Sequence, residues 1–379
     1  MKKIMETSEA VALAAKLSRA KVFPMYPITP STHIPEKIAE YVSNGEIDAV
    51  MVNVESEHSA LSAAIGAVAA GARTFTATSS QGLAYMFEVL PIASGMRLPM
   101  VMAVANRALS APINIWNDHS DSVSARDQGW IQLWVESSQE ALDTVIQAFK
   151  IAENKKIQLP VIVNLDGFTL SHVFEPIDEL EQKTVDKFLP EFAPENILDA
   201  SKPKTFGPIA FPDTFMEFKQ MQQNAMENAL VAIEKTNSEF KKMFGRAYGN
   251  GLIETYKMND AKFALVGMGT LCSTARVAID NLRKQGIKAG LIRIRSLRPF
   301  PTKDLQKAAK KLEAIAVIDR HVSLGFEGPL ASDTRSALCD SKIRISGYIA
   351  GLGGRDITLK HLEKAIMDLK NKKNGSWLS

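Results

Sequence analysis

The chain has 379 residues, 46% hydrophobic and 23% charged, which is enough for two domains with cores of their own. A net charge of +3 is too small to argue for a nucleic acid or an anionic membrane as partner. The two cysteines, Cys272 and Cys339, lie far apart and form no CxxC, too few for a zinc knuckle or for the four thiolates an iron–sulfur cluster normally takes. No apolar run reaches the roughly 20 residues of a membrane span. The basic start, Met1-Lys2-Lys3, is followed by no long apolar region, so a cytoplasmic location is expected.

From the N-terminus, strands rich in Val, Ile, Phe and Thr are expected at 21–26, 49–54, 73–78, 100–105, 131–135 and 161–165. Helices are expected between them at 8–19, 31–42, 57–70, 83–94 and 138–153. Such alternation reads as an α/β fold, a parallel sheet with helices on both faces. The helix at 57–70 is unusually rich in Ser, Ala and Gly, which suits close packing either on its own sheet or on a neighbour. From 176 to 256 prolines recur, followed by a helical segment at 215–244. Met221, Met226, Leu230, Ile233 and Met243 are spaced along it near the helical period, so it reads as a connector that wraps on a neighbour. After 257 the alternation resumes. Strands are expected at 263–266, 289–294, 314–318 and 343–345, and helices at 271–284, 302–312, 330–338 and 359–369.

Ligands of open α/β sheets sit beyond the carboxyl ends of strands, so the loops there hold the candidate site. The first is Tyr26-Pro27-Ile28-Thr29-Pro30-Ser31-Thr32. Its prolines fix the backbone on either side of Thr29, as a rigid turn before a helix cap or as a mount that presents a hydroxyl. The second is Glu55-Ser56-Glu57-His58. Its acids are either helix-start charges stabilised by the dipole or acid–base equipment. The third, Thr78-Ser79-Ser80-Gln81-Gly82, is a polar helix start suited to capping or to a polar ligand. The fourth carries Arg107, whose guanidinium would pair with Asp118 or Asp121 or capture a carboxylate. Further on, Gly267 and Gly269 supply two glycines of a dinucleotide fingerprint, with Cys272 in the third place. No acid follows the next strand, so tight turning explains them better than a nicotinamide site.

At these loops the sequence resembles the alpha subunit of the 2-oxoacid:ferredoxin oxidoreductase family. The resemblance rests on YPITPST at 26–32, NVESEHSA at 53–60, TATSSQGL at 76–83, ANRALSAP at 105–112 and WNDHSD at 116–121. It continues through LDGF at 165–168, VGMGT at 266–270 and RSLRPFP at 295–301, so it spans essentially the whole chain. It implies a thiamine-diphosphate pyrimidine-binding domain at 1–175, an extended connector at 176–256 and a smaller transketolase C-terminal-like α/β domain at 257–379. It implies that Glu57 is catalytic, hydrogen-bonding a pyrimidine ring nitrogen of the cofactor, with Pro27 and Gln81 also at the cofactor. Thr29 and Arg107 would hold the 2-oxoacid. Thiamine diphosphate would be shared with a beta subunit, and Mg²⁺ and [4Fe-4S] clusters would lie in partner subunits (beta, gamma and delta). The TSSQG turn favours pyruvate, with coenzyme A and ferredoxin as co-substrates. A branched-chain 2-oxoacid such as 2-oxoisovalerate is the alternative, and a non-catalytic α/β binding subunit is the reading from another class.

Overall fold

The computed structural model describes residues 2–379. Its first half runs β1 (Lys2–Glu6), α1 (Thr7–Leu17), β2 (Val22–Met25), α2 (His33–Ser43), β3 (Val50–Asn53), α3 (Glu57–Ala69), β4 (Phe75–Thr78), α4 (Ser80–Tyr85), α5 (Leu90–Gly95), β5 (Val101–Asn106), α6 (Ser120–Ser124), β6 (Ile131–Trp134), α7 (Ser138–Ala152), β7 (Val161–Asp166) and β8 (Phe174–Asp178). Then follow α8 (Gln182–Phe188) and α9 (Phe215–Phe244). The remainder is β9 (Ile253–Tyr256), β10 (Phe263–Gly267), α10 (Leu271–Lys284), β11 (Ala289–Ile294), β12 (Ser296–Arg298), α11 (Thr302–Ala309), β13 (Ala314–Asp319), α12 (Pro329–Ala337), β14 (Arg344–Ala350), α13 (Leu359–Lys370) and β15 (Trp377–Leu378).

The first sheet has the order β12-β6-β7-β5-β4, and a Val22–Thr74 bridge leads on to the β2–β3 pair. All its strands are parallel except β12. Strands β4, β5, β6 and β7 are buried along their whole length, as helices on both faces require. The second sheet is β15-β14-β13-β10-β11-β9, parallel except for β9. The expected α/β alternation is therefore present in both halves.

Four differences from the sequence reading have local causes. The helix expected at 83–94 is two short helices, because Pro91 cannot donate within a helix and would clash one turn back. Five edge strands (β1, β8, β9, β12 and β15) escaped notice; they are two to five residues long and take their identity from a distant partner. The fourth strand expected in the second half, at 343–345, runs from Arg344 through Ala350 as β14 because it pairs with β13 from Arg344 to Ile349. Helix α9 has the expected bounds but only part of the expected buried face. Of the expected stripe, Ile233 is buried and Met226 and Leu230 pack against the core of the first lobe, joined by Ala225, Ala229, Ala232 and Phe240, whereas Met221 and Met243 are exposed.

The two lobes are joined by β12 and by buried charge. Ser296 pairs with Leu133, and Trp134 N–H donates to the Arg295 carbonyl at 2.7 Å. Glu140 on α7 accepts from Arg293 Nη2 and Arg295 Nε, each at 2.6 Å, and all three side chains are buried. Burial alone would raise the Glu140 carboxyl; the two guanidiniums outweigh it and hold it below the usual range.

At the end of β13, two neighbours titrate in opposite senses. Burial pushes Asp319 up to about 7, although its carboxylate accepts the Leu330 and Ala331 N–H groups at the start of α12. Burial pushes His321 down to about 4. The raised Asp319 contributes stability that is complete below about pH 4 and lost as pH rises through 7. The lowered His321 contributes stability that is complete above about pH 6.5 and lost as pH falls through 4. In the wild type the two slopes offset each other between pH 4 and 7. Denaturation midpoints across that range should rise with pH in Asp319→Asn and fall with pH in His321→Asn. Each slope is at most about 1.4 kcal/mol per pH unit; parallel curves for the two variants would show that these groups do not titrate as described.

Candidate active site

The loops at the carboxyl ends of β2, β3, β4 and β5 converge, because those strands are neighbours and parallel. Ser56 caps α3, its hydroxyl accepting the Ser59 N–H at 3.2 Å, and so sets Glu57 in the first helical turn. Glu57 is only 7% exposed. Its carboxylate accepts no hydrogen bond and joins no ion pair among the described residues. Glu55, the competing acid, is exposed and held by Ser59 Oγ. A nearly buried side chain whose carboxylate has no donor within the chain and still reaches the surface is available to a ligand.

What lies against Glu57 is Gly82. A Cβ on Gly82 would fall 2.7 Å from Glu57 Oε1 and inside contact distance of Thr78 Oγ1. The Thr78 hydroxyl is itself buried with no partner. An acid, an unpaired hydroxyl and a missing side chain thus adjoin one another at the ends of β3 and β4. This polar set fits the edge of a small heteroaromatic ring that both donates and accepts hydrogen bonds.

Asp121, which sequence reading considered only as a partner for Arg107, ties the next two loops together. It is buried, and Oδ2 accepts the backbone N–H groups of Ser80 and Arg107, both at 3.0 Å. Oδ1 accepts from Asn106 Nδ2 at 2.9 Å. Burial raises this carboxyl, with the hydrogen bonds opposing. Ser80 Oγ lies 2.6 Å from both Gln81 Oε1 and the Ala108 carbonyl. Its single hydrogen serves one of them, and a turned Gln81 amide would donate to the other lone pair.

Arg107 forms no ion pair with Asp118 or Asp121. Its Nε donates to the Asn114 carbonyl and its Nη1 to the Thr29 carbonyl, each at 3.0 Å. These bonds fix the guanidinium plane and leave Nη2 without a protein partner among the described residues. The Thr29 side chain is exposed, as is Pro27; Gln81 is partly buried. Gly167 lets the Thr29–Pro30 turn close on β5, since a Cβ there would meet the Asn106 carbonyl and lie 2.7 Å from Pro30. The arrangement therefore brings Glu57, Gln81, Arg107 and Thr29 to one sheet edge. It can share a proton at Glu57 and hold an anion at Arg107.

A second buried cluster, centred on Asp166 at the end of β7, was not read from sequence as a unit. Asp166 accepts from His119 Nε2 at 2.8 Å, Arg320 Nη1 at 3.1 Å and Thr270 N–H at 2.9 Å. Burial would raise its carboxyl; Arg320 and His119 outweigh that and hold it well below the carboxylate range. The VGMGT segment thereby docks on the first lobe, a structural use of Thr270. Cys272 is buried, and burial pushes its thiol well up, away from nucleophilic use.

Residues 13–238 match the model of the pyruvate flavodoxin/ferredoxin oxidoreductase thiamine-diphosphate-binding region. Residues 261–362 match core domain II of pyruvate:ferredoxin oxidoreductase. The chain belongs to the pyruvate:ferredoxin oxidoreductase family. Among its relatives is pyruvate synthase subunit PorA of Methanocaldococcus jannaschii, 51% identical over 99% of this chain and 97% of that protein. The PorA subunit of Thermotoga maritima is 46% identical over 96% and 93%. Ketoisovalerate oxidoreductase subunit VorA of Pyrococcus horikoshii is 43% identical over 98% and 94%. In fold, the chain is similar to 2-oxoglutarate:ferredoxin oxidoreductase from Magnetococcus marinus, with a TM-score of 0.76 at 20% identity. That match covers 97% of this chain and 65% of the longer one. A split-gene transketolase is similar with a TM-score of 0.57 at 13% identity, over 98% and 100% of the two chains.

The family gives the Gly82 contact a testable meaning. In Gly82→Ala the new Cβ would fall inside contact distance of Thr78 Oγ1, 2.7 Å from Glu57 Oε1 and 2.8 Å from Glu57 Cγ, so both side chains must turn away. With Glu57 at the cofactor, as proposed for this chain, turnover of the assembled enzyme should fall about 100-fold, the usual penalty for moving a reacting group by an ångström, while circular dichroism shows the fold retained. Unchanged turnover would mean that Glu57 is free to shift without consequence.

Proposed function

We propose that this chain is the subunit of a pyruvate:ferredoxin oxidoreductase that presents Glu57 to thiamine diphosphate and Arg107 to the 2-oxoacid. The reaction is pyruvate, coenzyme A and two oxidised ferredoxins going to acetyl-CoA, CO₂, a proton and two reduced ferredoxins, in either direction. The observation that carries this reading is the buried, unpartnered Glu57 carboxylate beside Gly82 and the Thr78 hydroxyl. The pyruvate synthase names among the more similar relatives support the substrate, and the 43% identical ketoisovalerate subunit favours a branched-chain 2-oxoacid as the second reading.

Bound thiamine diphosphate supplies the nucleophilic carbon and the electron sink for loss of CO₂. Glu57 shares a proton with a ring nitrogen of the pyrimidine. The free Nη2 of Arg107 pairs with the substrate carboxylate, the Thr29 hydroxyl bonds it or the carbonyl, and Gln81 and Pro27 line the cofactor side. Mg²⁺ and the electron-carrying clusters belong to beta, gamma and delta partner subunits, since Cys272 and Cys339 cannot ligate a cluster between them. A cytoplasmic complex is consistent with the absence, among the described residues, of any helix long and apolar enough to cross a membrane.

The test is dye or ferredoxin reduction by the assembled complex with pyruvate, 2-oxobutyrate, 2-oxoisovalerate and 2-oxoglutarate, each with and without coenzyme A. Pyruvate should give the highest kcat/KM, and no 2-oxoacid-dependent reduction would sink the proposal. Arg107→Met should lose about 1.5–3 kcal/mol of binding to the carboxylate, roughly a 10- to 100-fold fall in kcat/KM. An unchanged value would remove Arg107 from the substrate site.

A further inference from the structure

Beside the Thr29 turn lies a cluster that the proposed reaction does not use. Glu6, at the end of β1, is 7% exposed, and its Oε1 is 2.7 Å from His33 Nδ1. His33 is the first residue of α2, three positions after Pro30. His172 completes the group from the turn between β7 and β8; its ring centroid is 4.6 Å from that of His33. One ligand atom from each residue lies within 4.8 Å of the other two.

We propose that Glu6, His33 and His172 form a binding site for a divalent transition-metal ion of the zinc class. Two imidazoles and one carboxylate, with no thiolate, are a donor set that zinc takes with a fourth position open. Zinc bonds of 2.0–2.2 Å put neighbouring ligand atoms about 3.4 Å apart. The widest pair therefore closes in by about 1.4 Å at most and the 2.7 Å Glu6–His33 pair opens by about 0.7 Å, which rotation about the side chains' own bonds provides.

The surroundings favour a metal over an isolated His–Glu pair. His172 Nδ1 is 2.7 Å from Ser171 Oγ, which accepts the Phe168 N–H as well. In the tautomer with the proton on Nδ1, that contact is the outer hydrogen bond that metal-binding histidines usually have and Nε2 keeps the free lone pair; with Ser171 Oγ donating to Nδ1 the roles reverse. The His172 ring is further fixed by Phe168, 4.7 Å away. His33 is 44% exposed at its side chain, so an ion reaches the group from solvent. The metal would replace the proton between His33 and Glu6. It would also tie together the end of β1, the start of α2 and the turn after β7, three segments that surround the Thr29–Pro30 turn.

The experiment uses the assembled complex, dialysed against a weak chelator and then against free Zn²⁺, with metal counted by mass spectrometry. Wild type should retain one more zinc per chain than His172→Gln or Glu6→Gln, each binding at least about 100-fold more weakly. Zinc-edge absorption should show two imidazole nitrogens on that ion. Zinc should raise the thermal midpoint of the wild type and leave His172→Gln unmoved, a readout independent of turnover. Equal zinc content and equal thermal response in wild type and both variants would overturn the proposal, as would a site whose spectrum shows only oxygen ligands.

Discussion

Replacing Glu57 with glutamine should lower turnover of the assembled complex by about 10²- to 10⁴-fold, the range lost with a positioned acid–base group. The substitution keeps shape and volume. Glu57 forms no ion pair and accepts no hydrogen bond within the chain among the described residues, so glutamine breaks no internal contact. Subunit assembly and thermal midpoint should therefore stay close to wild type. In the role proposed for Glu57 the carboxylate shares a proton with the pyrimidine nitrogen, which a carboxamide cannot do. The measurement is 2-oxoacid- and coenzyme A-dependent viologen reduction, with thiamine diphosphate content assayed in parallel. Near-normal rates in a loaded Glu57→Gln complex would take this residue out of the mechanism. The Gly82→Ala variant is the companion: it keeps the carboxylate but moves it.

The largest effect on stability is expected at Glu140. Leucine there removes the carboxylate shared by Arg293 and Arg295, which are 0% and 2% exposed. Arg293 would still face Glu136 and Glu254, each at 3.1 Å. Arg295 would keep the Gly251 carbonyl, the Thr144 hydroxyl and the Tyr248 ring face at 5.2 Å, all neutral. Stranding a buried charge in this way costs about 3–5 kcal/mol. A fall of that size in unfolding free energy should be seen in denaturant titrations, with the lobes separating first because Glu140 and the arginines sit on opposite sides of the β6–β12 seam. Combining Glu140→Leu with Arg295→Met should recover part of the loss, since an apolar pair of similar volume needs no counter-charge. A double variant no better than the single one would place the destabilisation elsewhere.

Much of the site was legible before the fold was known, for a specific reason. The loops that carry Thr29, Glu57, Gln81 and Arg107 each follow a short strand built largely from Val, Met, Ala, Phe and Thr, and parallel strands bring their carboxyl ends to one edge. The motifs there are short, polar and contiguous, so their resemblance to a family survives without any contact information. Asp121 was harder to read. Its partners, the N–H groups of Ser80 and Arg107, are backbone atoms of two other loops, and backbone donors leave no trace in the sequence. The same holds for Asp166, whose partners His119, Thr270 and Arg320 lie 47, 104 and 154 positions away. The buried face of α9 was legible at Met226, Leu230 and Ile233 but not at its ends, where Met221 and Met243 are exposed, nor at the alanines that let it approach the first lobe closely.

By itself the sequence determined the alternation of strands and helices, the loops where a ligand could sit, and the candidacy of Glu57. These follow from local periodicity and from short motifs, which the chain carries whatever surrounds it. Only the tertiary structure decided that Glu57 is buried without a partner, that Arg107 spends two donors on backbone carbonyls and keeps Nη2 free, and that Ser296–Arg298 extends the sheet of the other lobe. Whether a charge is paired and whether an edge is covered depend on which distant segment arrives beside it. That is settled by packing between elements, where hydrogen bonds and burial are matched across the chain and not along it.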